Sequence, residues 1–197
     1  SISPNVQDSI LTIGAKYVVG GGGAATNFFA GRIDEVHMID NGNYPVKLLM
    51  TDDQLVMRMT GVPKADRLYN NRIISSLENS RDFVALSTTT APTPTVDSLG
   101  MANHAAAFNG TSQYYKALDA TYMKNPLKVT ASAWVYPRNQ TGYNTVVGNA
   151  ENAGFLLTIN AGRPEFWVHV GGAYRMAYSS TNLTNLTWAH VAGSFDG

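Results

Sequence analysis

Two adjacent carboxylates, Asp34 and Glu35, are the residues of this chain whose types could most readily serve as an acid–base pair. Hydrolysis of a glycosidic bond needs two carboxyl groups that flank that bond. Neighbouring residues of a regular strand point to opposite faces, and the residue two positions after Asp34 is Val36 rather than an acid. We therefore expect a noncatalytic protein, and a glycoside hydrolase that depends on Glu35 is the enzymatic alternative.

The four histidines, at positions 37, 104, 169 and 190, show no pattern that predicts catalysis. None has a second histidine at the close spacing that zinc sites use, and no Gly-x-Ser-x-Gly turn supplies a nucleophile. The glycine run at 20–23 lacks the Gly-Lys-Ser/Thr ending of a phosphate-binding loop. We therefore name no catalytic residue.

Segment 164–170 alternates between apolar and polar positions, as a half-buried strand does. One predicted face carries Phe166, Val168 and Val170, and the other carries Glu165, Trp167 and His169.

An aromatic side chain among polar neighbours suits a surface that stacks against a sugar ring or docks a protein. Trp167 and His169, together with Tyr174 and Tyr178 on the following segment, are the predicted ligand-binding residues. The alternative is that a loop or a neighbouring subunit covers Trp167.

The composition excludes several classes of partner. The 197 residues include 14 basic and 14 acidic residues, and charged residues make up 14% of the chain, below the ~25% of average globular proteins. Because the basic residues are scattered singly, we expect no nucleic-acid partner. The chain has no cysteine, so disulfides and thiolate metal sites are excluded. No apolar run approaches the ~20 residues that span a bilayer.

The arrangement of apolar runs and turn residues predicts an all-β architecture. From residue 105 onward, short apolar runs arrive between Asn- and Gly-containing turns, as in an antiparallel sandwich. Thr51 and Gln54 can form a capping box, and Pro63 can open a second helix that runs to Asn79. Residues 87–95 are rich in threonine and proline, which suits a boundary or an edge strand.

Five segments resemble strands of laminin-G-like domains, which belong to the concanavalin A-like lectin and glucanase superfamily. Segments 11–15 (Leu-Thr-Ile-Gly-Ala) and 28–40 (Phe-Phe-Ala-Gly-Arg-Ile-Asp-Glu-Val-His-Met-Ile-Asp) resemble the closing strands of that domain. Segments 107–111, 131–137 and 187–197 resemble its opening strands, in the family's order. The resemblance implies a concanavalin A-like jelly-roll β-sandwich, with one or two short helices in the connecting segment.

The closing motifs precede the opening motifs in this chain, which predicts three divisions. Residues 1–61 are closing-type strands, residues 62–96 are a helical and Thr/Pro-rich connector, and residues 97–197 are opening-type strands. Three arrangements fit this order: a slice through a tandem array, a circular permutation, or strands shared between chains.

The resemblance also implies roles for particular residues. Members of the fold often hold a structural calcium ion at a sandwich edge, and Asp34, Asp97 and Asn109 are the candidate ligands. The alternative is that Asp97 starts a turn and that Asn109 belongs to a hairpin signal. Trp134 and Trp188 fall in family-like strands, so we expect both to fill the space between the sheets.

The predicted function is a noncatalytic recognition or adhesion module of a secreted, cell-surface or virion protein, which binds carbohydrate or protein. The alternative is a structural subunit of a fibre or a viral shell or tail that assembles by strand complementation between chains. We also expect self-association or contacts with neighbouring repeats, because unfinished sandwiches expose strand edges.

Overall fold

The computed structural model describes residues 11–18, 23–40, 57–59, 68–69, 72–73, 83–84, 91–102, 105–117, 128–149 and 154–197. These residues form strands and connecting turns and contain no helix, so none of them lies in a helix able to cross a membrane. In chain order the strands are β1 (Thr12–Ile13), β2 (Lys16–Val18), β3 (Ala24–Thr26), β4 (Ala30–Asp40), β5 (Met57–Met59), β6 (Leu68–Tyr69), β7 (Arg72–Ile73), β8 (Phe83–Val84), β9 (Thr93–Thr95), β10 (Ala105–Asn109), β11 (Tyr115–Ala117), β12 (Val129–Pro137), β13 (Tyr143–Gly148), β14 (Phe155–Asn160), β15 (Arg163–Val170), β16 (Ala173–Tyr178) and β17 (Ala189–Phe195).

The strands form two large antiparallel sheets and one small hairpin. The nine-stranded sheet has the order β16-β15-β14-β13-β1-β11-β8-β7-β6. The six-stranded sheet has the order β17-β12-β4-β10-β9, and β5 pairs with β4 beside it. Strands β2 and β3 pair with each other only. This architecture confirms the predicted all-β, concanavalin A-like sandwich.

Segments from the two ends of the chain pair with each other inside these sheets. Strand β4 lies between β12 and β10, and β1 lies between β13 and β11. The closing-type and opening-type motifs of the sequence therefore share sheets within one chain.

Phenylalanines and branched aliphatic residues fill the space between the sheets. Phe29 and Phe108 meet edge to face at 6.4 Å, and Phe108 meets Tyr115 in the same way at 6.0 Å. Phe155 and Phe166 pack at 6.0 Å farther along the nine-stranded sheet. Each buried phenylalanine side chain contributes roughly 1.5–3 kcal/mol to folding.

Strand β12 shows which of its faces meets the core. Its buried and half-exposed residues alternate strictly: Val129, Ala131, Ala133, Val135 and Pro137 are buried, whereas Thr130, Ser132, Trp134 and Tyr136 are half exposed. The prediction that Trp134 fills the core is therefore wrong, and Trp188 is likewise half exposed beside Tyr136 rather than in the core. The polar residues Thr130 and Ser132 point to the same side of β12 as Trp134, so this side is the outer face of the sheet.

Strands occupy the described parts of the segments predicted to be helical. Most of residues 51–61 and 63–79 lies outside the described residues, but β5, β6 and β7 fall within these segments. Strand β5 pairs with residues 36–38 of β4 and so satisfies backbone groups along that edge. Such pairing overrides a local helical preference. Within the Thr/Pro-rich stretch, β9 is an edge strand, where Pro94 needs no second pairing partner.

Candidate ligand-binding site

Strands β15 and β16 build an aromatic surface on the outer face of the nine-stranded sheet. Trp167 pairs with Met176, His169 with Tyr174, and Glu165 with Tyr178. The residues between them on β15, Phe166 and Val168, are buried in the core as the alternation predicted, whereas Val170, predicted on the same face, is exposed at the end of the strand.

Glu165 is buried beneath this surface, with 1% of its area exposed, and it accepts three hydrogen bonds. Its Oε1 accepts from Asn160 Nδ2 at 3.1 Å and from Arg163, which also forms an ion pair with it at 2.9 Å. Its Oε2 accepts from Trp167 Nε1 at 3.0 Å. A buried carboxylate with both oxygens bonded is a stable anchor, so Glu165 fixes the orientation of the indole ring.

Tyr174 packs against both neighbouring aromatic side chains. Its ring lies 6.4 Å from that of Trp167 at 78°, and 4.9 Å from that of His169 at 66°. Edge-to-face packing of this kind holds the rings upright and is worth roughly 0.5–1.5 kcal/mol per pair. Tyr174 nevertheless remains 40% exposed, so the cluster is rigid and open to solvent.

A cavity of about 190 Å³ lies beside Trp167 and Tyr174. Lys16, Asn27, Tyr143 and Leu156 complete its lining. Lys16 comes from β2 and Asn27 follows β3, so the small hairpin supplies one wall of the cavity. Tyr143 comes from β13 and Leu156 from β14.

Backbone hydrogen bonds hold the Asn27 wall in place. Thr145 N donates to Asn27 O at 3.0 Å, and Phe29 N donates to Gly14 O at 2.9 Å. Asn27 has a φ of 52°, a left-handed conformation that asparagine tolerates better than most residues. The cavity is therefore built from segments far apart in sequence.

The structure brings two of the four predicted ligand-binding residues to the cavity, namely Trp167 and Tyr174. His169 contacts Tyr174 but does not line the cavity. Tyr178 lies farther along β16, where the Arg163 guanidinium stacks on its ring at 4.2 Å. Sequence reasoning missed Lys16, Asn27 and Tyr143, because only long-range strand pairing brings them to β15.

The lining residues offer several groups that can bind a ligand. Aromatic faces from Trp167, Tyr174 and Tyr143 offer stacking surfaces, and the Asn27 amide offers both a donor and an acceptor. Among the described residues that line the cavity, none is an acid or a histidine.

Two of the three predicted calcium ligands bind backbone groups of turns. Asp97 Oδ1 accepts from Leu99 N and Met101 N, each at 2.8 Å. Asn109 Oδ1 accepts from the amides of Thr111, Ser112 and Gln113 at 3.0–3.2 Å. These are the turn roles that the sequence offered as the alternative to calcium.

Asp34 and Asn109 lie near opposite ends of the β4–β10 ladder. Asn109 pairs with Ala30, four residues from Asp34, which corresponds to about 13 Å along the strand. Calcium holds its oxygen ligands at about 2.3–2.6 Å, so these two side chains do not fit one ion. Within the described ranges no three His, Cys, Asp or Glu residues cluster closely enough to hold a metal.

Asp34 and Glu35 sit at a β-bulge instead of in a regular strand. Ser132 pairs with His37 but Trp134 pairs with Asp34, so β4 has one extra residue at this point. Glu35 has a φ of 45°, and its backbone amide donates to Asp34 Oδ1 at 2.8 Å.

One family model matches the sequence, that of Laminin_G_3, described as the concanavalin A-like lectin/glucanases superfamily, over residues 109–197. No curated protein and no solved structure matches the chain. The matched range contains β11 to β17, and with them Trp167 and Tyr174. Residues 109–197 are thus similar to laminin-G-like domains of the concanavalin A-like lectin/glucanases superfamily, the family that the motifs of the sequence resemble.

Proposed function

We propose that this chain is a noncatalytic carbohydrate-recognition module that binds a glycan in the cavity beside Trp167. The observation that carries the proposal is the buried Glu165, which fixes the Trp167 indole at the wall of an open aromatic cavity. A preorganised aromatic side chain loses little conformational entropy when a ligand arrives.

The size and chemistry of the cavity favour a sugar over a protein side chain. Its volume of about 190 Å³ is below the roughly 300–1,000 Å³ of sites for drug-sized ligands, and therefore suits one ring of a longer glycan. Tyr143 and Tyr174, 42% and 40% exposed, offer ring faces and hydroxyl groups together. Lys16 and Asn27 add polar groups that can bind sugar hydroxyls.

The family match supports a lectin-like binding module in general, and laminin-G-like domains are commonly extracellular. We extend this to a secreted, cell-surface or virion protein that works in adhesion. The absence of cysteine fits a module whose stability comes from its core instead of disulfides.

An array of neutral oligosaccharides built from glucose, galactose, mannose and N-acetylglucosamine tests the proposal. The wild-type chain should retain a subset of these glycans, and Trp167→Ala and Tyr174→Ala should lose them. Tyr178→Ala is the matched control, because Tyr178 is exposed on the same strand but does not line the cavity. Retention that is unchanged in Trp167→Ala, or no retained glycan at all, would contradict the proposal.

A structural subunit is the second candidate, and the exposure of β16 favours it. All six residues of this edge strand are exposed, including Tyr174, Met176 and Tyr178. A strand with an unpaired edge and two open faces is a template for pairing with another chain. Light scattering checks this: large oligomers would support assembly, and a monomer would support the pairing of both chain ends within one molecule.

We still propose that Asp34 and Asp97 bind a calcium ion, but we no longer include Asn109, because it lies too far from Asp34 along the ladder. Both residues lie toward the same end of β10, since Ala106 pairs with Ile33 and Ala105 pairs with Thr95. A melting temperature that rises with added calcium and falls with a chelator would support it, and an unchanged melting temperature would refute it.

A further inference from the structure

A second cluster of aromatic side chains lies on the outer face of the six-stranded sheet. The face carries the half-exposed residues Trp134 and Tyr136 of β12, the exposed His190 of β17, and Trp188 next to it. Trp134 pairs with His190 in register, and their rings lie 5.4 Å apart. The rings of Tyr136 and Trp188 lie 5.5 Å apart, so two aromatic pairs stand side by side.

Strand β4 places one cation at the end of this aromatic cluster. Arg32 pairs with Tyr136 in register, and its guanidinium carbon lies 4.7 Å above the centre of the Tyr136 ring. Stacking on a ring holds the plane of the guanidinium group in one orientation. Its side chain is partly exposed, so part of this fixed cation faces solvent.

The charge of Arg32 has no acceptor among the residues that the structure describes. Its Nε is shielded from solvent and has no hydrogen-bond partner there. A shielded donor without an acceptor is energetically unfavourable. The terminal nitrogens of the guanidinium group are the ones open to a ligand, and an incoming carboxylate can accept from both of them in the bidentate geometry that guanidinium groups favour.

The acid that follows Arg32 on the same face of β4 occupies little of the surface that a ligand would meet. Asp34 is the acid nearest to Arg32 along β4, and only 4% of its surface is exposed. The open part of the face therefore presents one oriented cation and several aromatic rings, which complements an anionic and ring-shaped ligand.

We propose that this face binds an acidic saccharide, with Arg32 recognising the carboxylate of a uronic acid and Trp188 and Trp134 contacting the sugar rings. The site is separate from the cavity beside Trp167, because it lies on the other sheet and faces outward from the opposite side of the core. It stands or falls independently of the proposed function.

The three tryptophans of the chain give three indole N–H signals in a ¹⁵N NMR spectrum, which single Trp→Phe variants assign. The probe is an oligogalacturonate, and its methyl ester is the control, since esterification removes the charge and keeps the rings. The acid should shift the signals of Trp134 and Trp188 and leave Trp167 unchanged, and the ester should shift neither. The proposal would be overturned if oligogalacturonate shifted only the Trp167 signal, or if it shifted no signal at millimolar concentration. It would also be overturned if the methyl ester shifted the signals as much as the acid does.

Variants at Arg32 test the contact itself. Arg32→Gln should weaken oligogalacturonate binding at least tenfold, and Arg32→Lys should recover only part of it, because lysine keeps the charge but not the planar fork. Arg175→Gln is the matched control, since Arg175 is an exposed cation on β16 of the other sheet. Trp188→Ala, outside the regular strands, gives a second test should Arg32→Gln fail to fold. The saccharide assignment would be overturned if Arg32→Gln or Trp188→Ala bound oligogalacturonate as tightly as the wild type does. It would also be overturned if an oligoglutamate peptide shifted the Trp134 and Trp188 signals as much as oligogalacturonate does.

Discussion

The indole nitrogen of Trp167 donates to Oε2 of Glu165, two residues before it on the same face of β15, at 3.0 Å. Glu165 is itself covered and bonded to Asn160 and Arg163. The half-exposed indole ring is therefore fixed by a buried charge. Because a strand repeats every two residues, such an anchor is available wherever Glu and Trp stand two apart on one face.

Replacing Glu165 by glutamine should destabilise the chain by about 1–3 kcal/mol. Glutamine has one acceptor oxygen, so its amide group must face either the Trp167 indole or the Arg163 and Asn160 donors. Urea unfolding measures the loss, and the Trp167 indole signal should broaden or move. Asp196→Asn, at an exposed position, is the control and should leave stability unchanged. Equal stability of Glu165→Gln and the wild type would show that Glu165 anchors nothing.

Gly193→Ala should destabilise the seam where β17 packs on β15, by roughly 1–3 kcal/mol. An added Cβ at this position would overlap the Cβ and Cγ of the buried Phe166. Rotation of the Phe166 ring cannot relieve a clash with its own Cβ, so a strand must shift. Thermal unfolding compares this variant with Ser194→Ala, its exposed neighbour. A melting temperature equal to that of Ser194→Ala would contradict the observed packing.

Much of the sandwich could be predicted from the alternation of apolar residues. The pattern of β15 placed Phe166 in the core and Trp167 outside, as observed. The same rule applied to β12 would have placed Trp134 outside, since Thr130 and Ser132 share its phase. The prediction failed there because it relied on the size of tryptophan instead of the polarity of its strand neighbours.

The bulge at Glu35 should tolerate asparagine better than valine. Glu35 has a φ of 45°, a conformation that is accessible to asparagine but costs most other residues roughly 1–2 kcal/mol, and β-branched residues more. Both variants remove the carboxylate, so the difference between them reports the backbone alone. Denaturant unfolding should find Glu35→Val less stable by at least about 1 kcal/mol. Equal stability would argue against a left-handed residue here.

High pH should destabilise the protein through Tyr115. Burial raises the pKa of this tyrosine above its ordinary value of 10.0, and burial followed by the charge of Tyr17 also raises the pKa of Tyr114. The unfolded chain therefore loses these protons first, and stability falls as pH rises above about 10. The loss approaches about 1.4 kcal/mol per pH unit for Tyr115.

The variant Tyr115→Phe separates this effect from other alkaline changes. Its free energy of unfolding should fall less steeply between pH 10 and 12 than that of the wild type. Tyr143→Phe is the control, because Tyr143 is 42% exposed. If both variants and the wild type lose stability in parallel, burial of Tyr115 does not govern the alkaline transition.

The remaining parts of the site could not be predicted because they depend on contacts between distant segments. Lys16 and Asn27 reach Trp167 only through the hairpin of β2 and β3, and no local pattern marks either residue. The bulge at Glu35 likewise depends on the register between β4 and β12. Asp97 and Asn109, by contrast, each accept a hydrogen bond from the backbone amide two residues later in the chain. This is a local turn pattern that can be recognised in the sequence.

The most direct test of carbohydrate recognition is the affinity of Trp167→Ala for the neutral oligosaccharide that the wild type retains best, measured by isothermal titration calorimetry. Loss of the fixed indole should weaken binding at least tenfold, about 1.4 kcal/mol, while Tyr178→Ala binds as the wild type does. An unchanged dissociation constant in Trp167→Ala, with the fold intact, would contradict binding in this cavity.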